Sequence, residues 1–213
     1  ARDVLRVGGD GGHRLDDQED RDAGQDRQDQ DRGTRRGAGE DPVSDTPLRL
    51  AHFMAQVLHE SDGLANQIES LNYSAERLPQ VWPSRFKPTG PLDPADFAHN
   101  QQKLGNEVYG GRMGNTGPND GFTYRGRGLL QLTGKDSYRE ATATLRAQDS
   151  AAPDFVAMPD AVFSAQWCLA VAAAEWASKG CNAHADVDDI RKVTKAINGG
   201  LIGLSDRMER LRL

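Results

Sequence analysis

The segment AHFMAQVLHESDGLANQIESLNY, residues 51–73, decides how this chain is read. It opens as a helix: Leu50, Phe53, Met54, Val57 and Leu58 recur at helical spacing. Thr46-Pro47 just upstream supplies an N-cap hydroxyl and a proline at the first helical position. Glu60 falls three residues after Val57 and seven after Phe53, at the edge of the apolar stripe. A carboxyl there is partly desolvated, and desolvation favours its protonated form. The helical pattern stops at Asp62-Gly63, and Glu69 follows nine residues after Glu60, among Asn66, Gln67 and Asn72, where it should stay ionised. On an unbroken helix, at about 100° per residue, the two acids would lie on opposite faces. A break at Gly63 lets the chain fold back so that they face each other across a gap. One protonated and one ionised carboxyl across a gap is what glycosidic bond hydrolysis requires.

Five blocks follow one another along the chain: FMAQVLHES, ESLNYSAERL, VYGGRMGN, DGFTYRGRGLLQLTG and INGGLIGLSDR. In content and order they resemble glycoside hydrolase family 19, most closely its bacterial and phage branch of lysozyme-like endolysins and predicted chitinases. The resemblance covers residues 46–213. It implies a mainly α, lysozyme-like domain in which two helical lobes flank a substrate groove beside a small β element. It places the general acid on Glu60 and the second catalytic carboxylate on Glu69. The water-positioning hydroxyl falls on Thr133, and substrate contacts fall on Gln131, Tyr124, Ser137 and Asn198. Arg207 becomes the structural partner of the acid. The nine-residue spacing is that of the endolysin branch, since the plant-type chitinases carry the second acid further along. One departure stands out: the family has Asn-Tyr after the QLTG block, and this chain has Ser137-Tyr138. Serine is shorter and has no amide donor, which puts one sugar hydrogen bond in doubt.

The resemblance implies an inverting hydrolase of β-1,4 bonds between N-acetylhexosamines; no cofactor is expected, and a monomer is the expected state. Its polysaccharide substrate is peptidoglycan in the first reading and chitin in the second. A non-catalytic glycan-binding relative is the alternative of a different class.

Charge is unevenly placed. The chain carries a net −6, and residues 1–45 hold 8 basic and 13 acidic side chains, leaving 18 and 19 for the rest. Nothing here is the basic footprint of a nucleic-acid-binding protein. No run approaches the ~20 apolar residues that cross a bilayer, so no stable membrane insertion is expected. No secretory signal is visible either, which points to cytoplasmic accumulation with action on the wall after release, or to secretion if the natural start lies further upstream. Residues 1–45 contain no aromatic residue and include LDDQEDRDAGQDRQDQDRGTRRGAGED. Such a stretch cannot bury enough apolar surface to offset its ordering entropy. It reads as a disordered leader or as a stretch translated from a shifted frame, with the catalytic domain at 46–213.

Within that domain the patterns predict helices over 47–61, 74–82, 96–109, 138–147, 160–178, 188–197 and 205–213. Seven glycines make 110–128 the longest irregular stretch, and residues 122–124 and 129–132 are the best strand candidates. Several competing motifs fail. His59-Glu60 suggests a zinc-protease helix, but Gly63 stands where the second histidine belongs, and the five histidines show no ligand spacing, so no metal is expected. Gly134-Lys135 resembles the end of a phosphate loop, but Leu129 and Asp136 break the motif. Arg125 and Arg127, with Arg112, are either structural donors to backbone carbonyls or an anion site. Trp82 is a candidate sugar platform, whereas Trp167 and Trp176 read as core. Cys168 reads as a small buried hydrophobe, and a bridge to Cys181 stays open.

Overall fold

The structure, a computed structural model, describes residues 46–212; the leader read at 1–45 lies outside them. Among the described residues the chain forms nine α-helices: α1 Pro47–Glu60, α2 Leu78–Val81, α3 Gln101–Tyr109, α4 Asp120–Thr123, α5 Lys135–Gln148, α6 Cys168–Ser178, α7 Cys181–Ala185, α8 Ile190–Asn198 and α9 Leu204–Leu211. Two 3-10 turns, Pro94–Asp96 and Pro159–Phe163, complete it. The fold is mainly helical.

Two bodies of apolar packing give the lobes. Leu71, Leu78, Trp82, Phe86, Phe97, Leu104 and Tyr109 share one core, which Phe122 flanks. The second body is built on both sides of α6. Ala172 and Trp176 pack with Phe53 and Val57 of α1 and Val193 and Ile197 of α8. Val171 and Ala174 pack with Tyr138 and Leu145 of α5 and Phe155. An alanine-rich helix does this because its short side chains let neighbours approach on every face.

Among the described residues the small β element is a set of isolated bridges. Ile68 and Leu132 each pair antiparallel with Arg127, and Phe86 pairs with Leu92. Residues 122–124 do not form the expected strand: Asp120–Thr123 is a helical turn. The Asp120 carboxylate accepts from Gly117 N–H and its carbonyl from Tyr124 N–H, both at 2.8 Å, which winds the segment before it can extend. The helix expected over 160–178 is split, because Ser164 adopts an extended backbone at ψ 149° after the 3-10 turn. The helix expected over 96–109 also splits, where His99 turns to φ 56° and Asn100 caps α3. Trp82 is 1% exposed and packs edge-on against Tyr73 at 5.1 Å, so it belongs to the first core and offers no sugar platform. Both cysteines are free thiols; burial pushes Cys181 up to about 12.

Candidate active site

Glu60 is the last residue of α1, and the end of that helix is defined by local chemistry. Thr46 Oγ1 accepts from Arg49 N–H at 3.2 Å to start it. Ser61 ends it, its hydroxyl donating to Val57 O at 2.6 Å and accepting from Leu64 N–H at 2.9 Å. Asp62, Gly63 and Leu64 then take φ of 50°, 68° and 73° in succession. Three left-handed residues in a row cannot continue a right-handed helix, so the chain reverses here, as Asp62-Gly63 predicted.

The Glu60 side chain is 6% exposed and meets Arg207 of α9, itself 1% exposed, with Arg207 Nη2 donating to Glu60 Oε1 at 2.5 Å. Arg207 Nη1 also donates to Oε1 of the Gln56 side chain, one helical turn before Glu60. Beside this pair His59 Nδ1 lies 2.6 Å from Asp206 Oδ2, which also accepts from Arg210 Nε at 2.7 Å. Burial raises the Asp206 carboxyl, but Arg210 and His59 outweigh it, so the net direction is below the usual carboxylate range. Gln56, His59 and Glu60 thus face Asp206, Arg207 and Arg210 along the whole α1–α9 contact. Gly203, at φ 70°, lets α9 start against the His59 ring, where an added Cβ would come within 2.2 Å of it.

Glu69 is held differently. Its segment lies along residues 126–128: Glu69 N–H donates to Gly126 O at 2.9 Å and Gly128 N–H to Gln67 O at 2.7 Å. Its carboxylate accepts from Tyr109 Oη–H at 2.8 Å on Oε1 and from Gly126 N–H at 3.1 Å on Oε2. Hydrogen bonds to both oxygens favour the ionised form. Its negative charge also helps raise the nearby Tyr73 phenol, after burial, which is the larger cause.

The turn carrying Gly126 brings further candidates to Glu69. A Cβ on Gly126 would lie 2.7 Å from Gln131 Oε1 and 3.3 Å from Glu69 Cβ, so Gln131 and Glu69 flank one glycine. Gln131 sits at φ 55° and donates to Gly128 O at 3.1 Å. Thr133 Oγ1 donates to Gln131 O at 2.8 Å, which leaves its lone pairs to accept from a water. Leu129 and Leu130 anchor this turn in the core that Phe53 and Val57 of α1 share. The turn is therefore fixed to the helix that carries Glu60.

Other predicted positions lie elsewhere. Tyr124 is 6% exposed, stacks edge-on with Tyr138 at 5.2 Å and donates to Val156 O at 3.0 Å. Its ring packs in the core of α5 and α6. Ser137 is in the seam where α5 meets α6, with Glu140 and Thr144 opposite Ala174, Glu175 and Ser178. Asn198 closes α8, and Gly199 at φ 77° turns the chain toward α9. Of the arginines, Arg127 is buried and bonds Thr123 O, Tyr138 Oη and Asp160. Arg125 donates to Phe122 O at 2.9 Å, and burial first and Arg127 second lower its guanidinium. Both are structural donors in the described contacts.

Tyr109 lies in the VYGGRMGN block and Gln56 in the FMAQVLHES block, but the sequence assigned neither of them a role. Tyr109 is 40 residues from Glu69 and Gln56 is 151 from Arg207, so only folding shows them as partners of the acids. A concavity of about 600 Å³, lined by Pro153, Met158, Asp160 and Trp167, holds neither acid. Among the described residues no group of three His, Cys, Asp or Glu could hold a metal, and no helix is long and apolar enough to cross a membrane.

No protein-family profile matches the chain. Among solved structures, a chitinase C variant is 18% identical with a TM-score of 0.44, over 81% of this chain and 72% of that one. A curated relative from Haemophilus influenzae, named as a glycosyl hydrolase family 19 domain-containing protein, is 35% identical over 167 residues, 78% of each chain. With that identity over that share of both proteins, the chain belongs to glycoside hydrolase family 19.

Proposed function

We propose that this chain hydrolyses β-1,4 bonds between N-acetylhexosamines in the glycan strand of peptidoglycan, with inversion at the anomeric carbon. The observation that carries the reading is the contrast between its two carboxyls. Glu60 is nearly dry, which favours a protonated carboxyl and opposes the pull of the Arg207 guanidinium, whereas Glu69 accepts from a phenol and a backbone amide. In the reaction Glu60 gives its proton to the leaving glycosidic oxygen. Glu69 takes a proton from the attacking water, which Thr133 orients through its free lone pairs. Arg207 stabilises the charge that appears on Glu60 as the proton leaves, a fixed countercharge that needs no reorganisation at that moment. The nine-residue spacing of Glu60 and Glu69 supports peptidoglycan over chitin.

The test is clearing of a peptidoglycan suspension beside cleavage of chitin oligomers, by wild type, Glu60→Gln and Glu69→Gln. Clearing by wild type that falls about 10²-fold or more in both variants is expected. Proton NMR of the fresh reducing end should show the α-anomer. Cleavage of chitin oligomers alone would overturn the substrate, a fresh β-anomer the inversion. A folded wild type that binds glycan without cleaving it would overturn the activity.

A further inference from the structure

The phenol that holds Glu69 belongs to the other lobe. Tyr109 is the last residue of α3 and 3% exposed, in the core with Leu71, Phe97 and Val108. Its carbonyl accepts from Asn115 Nδ2 at 2.9 Å, and Gly110 N–H returns to Asn106 O to close the helix. Ring and backbone are therefore both fixed, and the hydroxyl donates to Glu69 Oε1 at 2.8 Å. Gly126 N–H holds the second oxygen from the opposite side. Neither group can take up a proton near neutral pH, so neither competes with Glu69 for the proton of water.

We infer that Tyr109 is a positioning residue for the general base: it orients the Glu69 carboxylate and keeps it ionised. The inference rests on the assignment of Glu69 as that base. A hydrogen bond donated to a carboxylate is strongest while the oxygen carries charge, so protonating Glu69 weakens it. The bond therefore extends the active range toward low pH. Tyr73 and Arg125 are titratable groups that feel the Glu69 charge. Arg125 also favours the ionised form, and the neutral Tyr73 phenol adds no charge. Both remain when the Tyr109 hydroxyl is removed, so its effect can be isolated.

Tyr109→Phe keeps the buried ring and deletes only the hydroxyl. In the full chain, the acidic limb of the kcat/KM profile should move up by about one pH unit, since a hydrogen bond to a charged group alters proton affinity roughly tenfold. On the plateau kcat should fall about tenfold while KM stays within about twofold, because the loss falls on orientation of the water rather than on glycan binding. A purely structural role would lower the melting temperature and leave the limb in place. Carbon NMR titration of the glutamate carboxyls, with Glu69→Gln identifying the signal, reads the same change without turnover. An acidic limb and a Glu69 titration that stay put in Tyr109→Phe, or move to lower pH, overturn the inference. An active Glu69→Gln would instead show that Glu69 is not the base, while the NMR comparison still tests whether Tyr109 holds it ionised.

Discussion

Removing the guanidinium beside the acid should have an effect that depends on pH in a way no cavity could. Arg207→Met keeps much of the aliphatic volume and deletes the charge that meets Glu60 Oε1 at 2.5 Å. The pair is buried, 1% and 6% exposed, so solvent screening does not discount it. Breaking such a pair by removing one partner costs about 3–5 kcal/mol. In a domain of this size that is a drop in melting temperature of roughly 6–20 °C. Left alone in a dry site, Glu60 relieves part of the cost by keeping its proton. The folded variant then holds that proton more tightly than the unfolded chain does. Stability is recovered at low pH and lost as pH climbs through and beyond the ordinary carboxylate range. The gap between wild type and variant should therefore be small near pH 4.5 and large near pH 8. The alkaline limb of kcat/KM, where the proposed general acid loses its proton, should move to higher pH. The assays are thermal melts across pH and a pH–rate profile at a temperature where both proteins are folded. A melting gap that is constant with pH, with an unmoved limb, would refute the reasoning: Arg207 would then be mere packing.

Three further outcomes follow from the same geometry. Gly126→Ala, whose Cβ would come within 2.7 Å of Gln131 Oε1 and 3.4 Å of Glu69 Oε2, should push both side chains aside; kcat should fall about 10²-fold for a shift near 1 Å, with a melting loss of only about 1–3 kcal/mol. Thr133→Val preserves shape and removes the lone pairs left after the bond to Gln131 O, so kcat should fall roughly 10–10²-fold while KM holds. Asp206→Asn should destabilise at neutral pH and hardly at all near pH 3. The carboxyl lies below its usual range in the fold, so its contribution is present above the unfolded value and lost as pH falls through the folded one. With the side chain 43% exposed the effect should stay under about 1 kcal/mol, read from urea midpoints at the two pH values.

The first helix and its break were legible because their causes are local. A Thr-Pro cap, an apolar stripe and Asp62-Gly63 act within a few residues, and the helix runs Pro47–Glu60 as those signals imply. The Arg207–Glu60 contact was legible only through the resemblance, since 147 residues separate the partners. Trp82 misled because tryptophan before proline in a loop gives no sign of which face is covered; Tyr73 and the first core cover it. The packing of Tyr124 was not legible for a related reason: its motif is dense in candidate site residues, but its own ring turns inward to Tyr138. The short helix Cys181–Ala185 has no periodic signal at five residues and forms because its buried face packs with Trp176.

The separation of Glu60 from Arg207 also sets a clock on synthesis. The arginine is made 147 residues after the acid it faces, which at about 5–20 residues per second is roughly 7–30 s of translation. For nearly all of that interval the nascent polypeptide has both carboxyls but not the countercharge of Glu60. A product released early by a stop codon before position 207 would have the same deficiency permanently. The order in which the ribosome delivers the parts therefore puts the countercharge of Glu60 last among the candidate site residues.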